Sequence, residues 1–265
     1  MSESHASELG ELLKSSPSRI APHAFRYHAS HQKDVSSWCE EHRVDHAWMP
    51  EGLRFADLKL LAMDMDSTLI CIECIDELGD FAGKKAEVAS ITEQAMRGEI
   101  EYQESLRRRV AVLAGLPESI LESVYAERLR LNPGAEALLD ACRRHGVKTL
   151  LVSGGFTFFT GRLKERLRLD YTISNHLEVR AGKLTGNLTG DVVDADAKAR
   201  KFAAVLSELK ADKRQSVAMG DGANDLKMMA LAGTSIAYRA KPVVRVQATC
   251  ALNWSGLDAV VNLFE

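Results

Sequence analysis

The chain lacks the features that mark secreted and membrane-bound proteins. No apolar run in its 265 residues approaches the roughly 20 residues that cross a bilayer. Its first residues, MSESHASELGELLKSS, contain no basic segment followed by an apolar one, which a secretory signal requires. We therefore expect a cytoplasmic protein that does not associate with membranes.

Cysteine is scarce, and its number is odd. The chain has five cysteines, Cys39, Cys71, Cys74, Cys142 and Cys250, too few and too scattered for a disulfide framework. We expect free thiols. Cys71 and Cys74 form a CIEC pair of the kind found in redox and metal sites, but without a second pair that interpretation is weak.

The sequence also lacks an excess of charge of either sign. Its net charge is −3, which gives no electrostatic reason to expect a nucleic-acid partner, and a small anionic ligand would need a local basic site. The 46% hydrophobic content and six prolines are ordinary for a folded protein, and the length suggests one large unit with an accessory piece.

Short apolar runs alternate with helical patterns over most of the chain. This rhythm predicts an α/β fold, a Rossmann-like parallel sheet wrapped by helices. The predicted buried strands are Lys59 to Met63, Val147 to Val152, Ser216 to Met219, Ser235 to Tyr238 and Cys250 to Trp254.

Two further patterns belong to this α/β region. We expect a helix that Asn132 caps, that has Pro133 in its first turn and that ends at Gly146. Residues 171–190 alternate polar and apolar side chains around Ala181-Gly182, which indicates a small hairpin added to the sheet.

Between Ile70 and Leu131 the strand signal disappears. Leu106, Val110 and Leu113 share one helical face, as do Ile120 and Val124, so residues 71–131 are predicted to be a helical cap inserted into the catalytic core. The core itself then consists of residues 58–70 and 132–265. Because the insertion follows the first strand directly, it is placed to cover the end of that strand.

Residues 1–57 form a short N-terminal accessory segment, a reduced domain or a contact for a possible homodimer. They hold six of the eight histidines, which leaves a zinc site open as an alternative, although no close pair of cysteine and histidine spacings supports it. We favour solvated histidines. These residues are His5, His23, His28, His31, His42 and His46.

Three strand ends are unusually polar. The first ends at Asp64 and Asp66, the second runs into SGGF from Ser153, and a later one runs into GDGAND with Asp221 and Asp225. In an open parallel sheet the carboxyl ends of the strands converge on one crevice, so these groups should meet there. Any single aspartate would be explained as a turn or cap residue, but three agreeing strand ends favour a site.

Aspartates crowded in a crevice repel one another unless a cation compensates their charge. Oxygen ligands without nearby cysteine or histidine favour a hard ion, so we predict Mg²⁺ held by Asp64, Asp66 and Asp221. Ser153 with the amide after it at Gly154 forms an anion cradle, and Lys198 adds a positive charge. A metal ion, backbone amides and a lysine are the groups that position and stabilise the charge of a phosphoryl group during its transfer.

The two neighbouring carboxylates point to different tasks. Asp64 is expected to attack phosphorus and form an aspartyl phosphate. Asp66 is expected to protonate the leaving oxygen and then to deprotonate the water that hydrolyses the intermediate.

These motifs resemble those of haloacid-dehalogenase-type phosphohydrolases. The resemblance rests on DMDST (64–68), SGG (153–155), Lys198 and GDGAND (220–225). Within that group, the insertion segments ECIDELGDFAG, ITEQAMRGEI and SLRRRVAVLAGL are similar to the caps of phosphoserine phosphatases. The resemblance implies Mg²⁺-dependent hydrolysis of O-phospho-L-serine, the last step of serine biosynthesis.

The resemblance also implies substrate contacts. Glu73 would pair with the substrate ammonium and Arg109 with its carboxylate, a division of charge that suits an amino-acid zwitterion. Met96 and Tyr102 match apolar cap positions near the substrate, where Tyr102 replaces the usual phenylalanine, and Asn224 of GDGAND is also assigned to the substrate. For Arg109 the competing interpretation is a solvated helix face, because it ends an RRR triplet.

Other functions stay open at this point. A phosphatase or phosphotransferase with another small phosphomonoester, such as phosphohomoserine, would keep the mechanism and change the pocket. A signalling receiver domain also combines acidic residues, magnesium, a lysine and a phosphorylated aspartate on an α/β sheet, but it needs no cap.

Overall fold

The structure, a computed structural model, describes residues 1–29 and 32–265. His31, one of the histidines considered for zinc, therefore lies outside the described residues. The strands are β1 Ser18–Ala21, β2 Ala24–Arg26, β3 Leu60–Met63, β4 Lys148–Phe156, β5 Tyr171–Arg180, β6 Lys183–Thr189, β7 Ser216–Gly220, β8 Thr234–Tyr238 and β9 Cys250–Leu252. The helices are α1 Glu3–Leu13, α2 Ser36–Glu41, α3 Cys74–Phe81, α4 Lys85–Met96, α5 Tyr102–Val112, α6 Ser119–Glu127, α7 Ala135–His145, α8 Thr157–Leu167, α9 Ala195–Glu208, α10 Leu226–Met229 and α11 Pro242–Arg245.

A seven-stranded sheet organises the molecule, in the order β6-β5-β4-β3-β7-β8-β9. All neighbouring pairs are parallel except β5 and β6, so the predicted α/β fold with a largely parallel sheet is confirmed. Each of the five predicted strands is present. The predicted hairpin is also confirmed, with its two turn residues Ala181 and Gly182 in the left-handed region, although β5 itself lies parallel to β4 and widens the sheet.

The central strand β3 is buried on both faces, which explains its unbroken apolar sequence. Leu61 and Met63 face a core that includes residues of α7 and α8, whereas Leu60 and Ala62 face a core that includes residues of α9 and α10. The predicted face of the inserted helices, Leu106, Val110, Leu113, Ile120 and Val124, is buried in the first of these cores. Helices α3 to α6 are thus attached to the sheet by hydrophobic packing.

The register of the three central strands brings their ends to one level. Met63, the last residue of β3, pairs with Leu151 of β4 and with Met219 of β7. The next residues along each strand therefore meet at the same edge of the sheet. This register is what places Asp64 beside the SGG segment on one side and beside Asp221 on the other.

Residues 1–57 contact the last residues of the chain. Asp45 accepts hydrogen bonds from the backbone amides of Asn253 and Ser255 at 2.7 and 2.8 Å, and Arg26 donates to the carbonyl of Phe264 at 2.7 Å. All five cysteines are free, and four of them are buried. Among the helices of the described residues, none has the length and apolar character needed to cross a membrane.

The expected cap at Asn132 is wrong. The residue before α7 is Gly134, which adopts a left-handed conformation with φ 79°, while Gly146 ends the helix as expected. Asn132 is only 4% exposed, and its side-chain amide donates to the carbonyls of Thr68 and Ile70 at 2.8 and 3.0 Å. Asn132 therefore links the chain before α7 to the loop after β3. Local sequence patterns do not reveal these hydrogen-bond partners.

We predict that Asn132→Ala destabilises the protein by about 2 to 6 kcal/mol, because two buried carbonyls lose their donor and each such loss costs roughly 1–3 kcal/mol. The free energy of unfolding from urea titration measures the effect. Asn187→Ala, at an exposed position of β6, is the control and should change stability by less than about 0.5 kcal/mol. Equal unfolding midpoints for the two variants would contradict this role of Asn132.

Candidate active site

The loop after β3 is folded tightly on itself. Residues Met65–Leu69 form an irregular turn in which Ser67 has φ 55°, an uncommon conformation for a non-glycine residue. The amide of Ser67 donates to the carbonyl of Ile72 at 3.2 Å, and its hydroxyl donates to Glu73 at 2.6 Å. These bonds hold the turn and return the chain to the crevice at Glu73.

Three carboxylates from two strand ends lie close together. Asp64, Asp221 and Asp225 each offer an oxygen within 4.8 Å of the others, the only such group of metal-ligand side chains found in the described part of the chain. Asp64 and Asp225 are buried, whereas Asp221 is partly exposed. The predicted convergence of strand ends therefore produces a cluster that could hold a cation.

Lys198 compensates part of this charge. Its ammonium lies 2.9 Å from Asp64 and 2.8 Å from Asp225, and the lysine is 0% exposed. The first turn of α9 positions it, and Asp194 caps that helix by accepting from the amide of Ala197 at 2.9 Å. Burial alone would lower the pKa of Lys198, but the carboxylates of Asp225 and Asp64 raise it instead, so the lysine stays charged.

A single lysine does not balance the cluster. Burial raises the pKa of Asp64 well above its usual range, and Asp225 raises it further. Burial and the same neighbour raise the pKa of Asp221 to about 7. Buried carboxylates with raised pKa values favour a cation that would let them ionise together, and an all-oxygen set suits a hard divalent ion. The residues present thus fit a divalent metal.

Asp66 occupies a different place from the cluster. It accepts from the amide of Cys74 at 3.0 Å and from the hydroxyl of Ser153 at 3.4 Å. Burial, with a contribution from Glu73, raises its pKa to about 7. Its side chain is not a member of the three-carboxylate group, so its part in metal binding stays a prediction.

The SGG segment forms a narrow floor beside Asp66. Ser153 is fully buried, and its hydroxyl accepts from the amide of Gly155 at 2.8 Å. A Cβ at Gly155 would lie 2.7 Å from an oxygen of Asp66, and one at Gly154 would collide with the hydroxyl of Tyr102. Only glycine allows these close approaches, which is the physical reason for the SGG sequence.

Glu73 and Arg109 approach the crevice from the insertion. Glu73 reaches solvent, yet surrounding protein atoms raise its pKa by desolvation, while Ser67 and Arg109 oppose that rise. Of the RRR triplet, Arg107 and Arg108 are exposed, whereas Arg109 is half-buried and its Nε has no hydrogen-bond partner among the described residues. This unpaired donor favours a ligand contact over the solvated-face interpretation.

The structure gives less support for two of the predicted substrate residues. Met96, the last residue of α4, is 69% exposed and has little packing around it. Asn224 is partly buried, and its side-chain oxygen lies against Gly222 in the short turn Ala223–Asp225. Their substrate roles remain predictions.

Sequence reasoning missed several residues that shape the site. Asn175 of β5 donates to the carbonyl of Gly154 and accepts from the amide of Val193, both at 2.8 Å, so it supports the SGG floor from behind. Ser67, which belongs to the DMDST motif, also shapes the site through its hydrogen bond to Glu73. The DMDST motif contained a signal for Ser67, but nothing in the sequence around Asn175 indicates its role.

The chain is similar to known proteins over most of its length. The family described as haloacid dehalogenase-like hydrolase matches residues 61–230. This chain belongs to that family. The phosphoserine phosphatase of Polaromonas sp. (strain JS666) is 55% identical over 218 residues, which cover 80% of this chain and 92% of that one.

Solved structures named as phosphoserine phosphatases share the fold. An unliganded probable phosphoserine phosphatase from Vibrio cholerae has a TM-score of 0.84 and 37% identity, covering 100% of this chain and 83% of that one. A phosphoserine phosphatase described as a phospho-aspartyl intermediate analogue has a TM-score of 0.74 and 36% identity, covering 78% of this chain and 99% of that one.

We predict that Asp221→Asn weakens Mg²⁺ binding by at least roughly 10-fold, because loss of a direct ligand should cost no less than loss of an outer-shell partner. Isothermal titration calorimetry measures the affinity. Asp196→Asn is the control, since Asp196 is exposed and pairs with Lys227.

The stability of the metal-free Asp221→Asn protein shows whether a loss of Mg²⁺ affinity comes from the missing ligand or from misfolding. The folded-state pKa of Asp221 is raised to about 7, so its charged form opposes folding increasingly as pH rises from its unfolded value of 3.8 toward 7. At pH 8 the metal-free Asp221→Asn protein should therefore be no less stable than the wild type. Unchanged Mg²⁺ affinity would remove Asp221 from the ligand set.

Proposed function

We propose that this chain hydrolyses O-phospho-L-serine to serine and inorganic phosphate. The observation that carries the proposal is the placement of Lys198 between Asp64 and Asp225, with Asp221 and the SGG floor alongside. Relatives named phosphoserine phosphatase, similar over most of the chain, support the substrate. They also argue against a receiver domain, and no specific observation favours phosphohomoserine over phosphoserine.

In the proposed mechanism Asp64 is the nucleophile. One of its oxygens accepts from the amide of Met65 at 2.7 Å, and the other lies 2.9 Å from Lys198, so the carboxylate is fixed at the end of β3. A carboxylate oxygen would attack phosphorus, and the bond between phosphorus and the serine oxygen would break. The relative described as a phospho-aspartyl intermediate analogue supports this route.

Asp66 would be the acid and then the base. A pKa of about 7 lets it carry a proton to the leaving serine oxygen and afterwards accept one from water. That water would attack phosphorus and release Asp64 as a free carboxylate. The hydrogen bonds from Cys74 and Ser153 would keep the Asp66 carboxyl aimed at the floor of the crevice.

We assign Mg²⁺ to the carboxylate cluster, with Asp64 and Asp221 as ligands, Asp66 as a predicted third, and Asp225 close enough to take part. When bound, the ion would neutralise charge on the transferring phosphoryl group. Lys198, between Asp64 and Asp225, would do the same, while Ser153 and the amide of Gly154 would hold the phosphate oxygens.

The remaining assignments concern the serine part of the substrate. Glu73 would bind the ammonium group and Arg109 the carboxylate, with Met96, Tyr102 and Asn224 completing the pocket. Arg109 has the best structural support, because its Nε has no hydrogen-bond partner in the described part of the chain and needs an acceptor. A cytoplasmic location and a homodimer remain predictions.

A phosphate-release assay tests the function. We expect wild-type protein to release phosphate from O-phosphoserine only with Mg²⁺, and Asp64→Asn to bind the substrate without releasing phosphate, because an amide cannot form the aspartyl phosphate. Asp140→Asn, at an exposed ion pair on α7, should keep full activity. Near-normal turnover of Asp64→Asn would dismiss Asp64 as the nucleophile.

Substitutions of two neighbouring arginines test the proposed recognition of the substrate. Arg109→Gln should lower kcat/KM for phosphoserine by roughly 100-fold, within the range for truncating one partner of a buried charged hydrogen bond, and that for an aryl phosphate by less than about 3-fold. Arg108→Gln is the matched control, because Arg108 pairs with Glu104 on the exposed side of the same helix. Equal losses on both substrates would refute the carboxylate role of Arg109.

A further inference from the structure

The hydroxyl of Tyr102 lies over the phosphate floor. It occupies the space that a Cβ of Gly154 would need, so the oxygen lies against the glycine. Gly154 is the middle residue of the SGG segment, between the buried hydroxyl of Ser153 and the amide of Gly155 that donates to it. The tyrosine therefore brings a polar atom to the place where the proposed function puts the phosphate.

This hydroxyl has an unused hydrogen bond. Among the described residues it neither donates to nor accepts from any protein group, although the ring packs against the main hydrophobic core. The oxygen still contacts solvent, so a bound phosphate could take the place of water as its hydrogen-bond partner. Burial raises the pKa of Tyr102 to about 12, so the oxygen keeps its proton and can donate.

The position of the ring is fixed from outside the crevice. Tyr102 is the first residue of α5, and the next residue, Gln103, donates to Asp194 at 2.7 Å. Asp194 caps α9, the helix that carries Lys198 in its first turn. One hydrogen bond thus links the tyrosine helix to the lysine helix.

We propose that Tyr102 is a phosphate-positioning residue whose hydroxyl, held against Gly154, donates a hydrogen bond to a non-bridging oxygen of the substrate phosphoryl group. This inference rests on the proposed function only in requiring a phosphate monoester. It differs from an apolar role for the ring, which phenylalanine would fill equally well. The hydroxyl would bind the phosphate, whereas Glu73 and Arg109 would bind the amino-acid part of the substrate.

The test is Tyr102→Phe, which removes one oxygen and keeps the ring. We expect kcat/KM to fall roughly 10- to 100-fold, the range for a hydrogen bond to a charged group, and by the same factor for phosphoserine and for a small aryl phosphate. The affinity for inorganic phosphate in the presence of Mg²⁺, measured by calorimetry, should fall in parallel. Tyr125→Phe on α6 is the matched control and should change none of these values.

The outcomes separate this inference from the proposed function. Loss of phosphate affinity in Tyr102→Phe, with a wild type that ignores phosphoserine but cleaves the aryl phosphate, would keep the inference and refute the substrate. Unchanged phosphate affinity, or a loss confined to phosphoserine, would overturn the inference and leave the phosphatase intact. If both variants unfold at the same temperature as the wild type, a loss of function in Tyr102→Phe does not come from a loss of folding.

Discussion

The structure depends on a buried ammonium group held between two buried carboxylates. Lys198 is fully enclosed, and removal of such a partner from a buried ion pair leaves an uncompensated charge that costs about 3–5 kcal/mol. Three carboxylates and one lysine leave two negative charges in the cluster, which a single divalent cation would neutralise. The protein thus balances the charge of the site only in part, and the remaining negative charge would favour binding of a divalent cation.

The parallel sheet makes this arrangement possible. Asp64, Lys198 and Asp225 are far apart in sequence, and no local turn could bring them within hydrogen-bond distance. Equal registers of β4 and β7 against β3 deliver two of the strand ends to one edge, and α9 enters the same edge through a capped first turn. Buried apolar strands supply the rigidity that a site with repelling charges requires, since each strand is held by neighbours on both sides.

The features that could be predicted from the sequence are those with a local signal. Apolar runs marked the strands, the Ala181-Gly182 pair marked a hairpin, and aspartates after strands marked the site. Asn132 and Asn175 could not be assigned, because a buried amide acquires its role from partners 62 to 64 residues away in one case and 18 to 21 in the other. A polar residue near a helix start suggests a cap by default, and only the tertiary fold shows that the side chain is used elsewhere.

The loop after β3 carries a proposed catalytic residue, Asp66, and leads within ten residues to a proposed substrate-binding residue, Glu73. Asp66, the proposed acid, accepts from the first residue of α3, and Ser67 donates to Glu73, the residue just before that helix. The strained backbone at Ser67 persists because these bonds compensate it. Asp66 and Glu73 are therefore both tied to the start of α3. In the proposed mechanism, a substrate that draws Glu73 into place would also set Asp66, which would couple substrate recognition to proton transfer through one short turn.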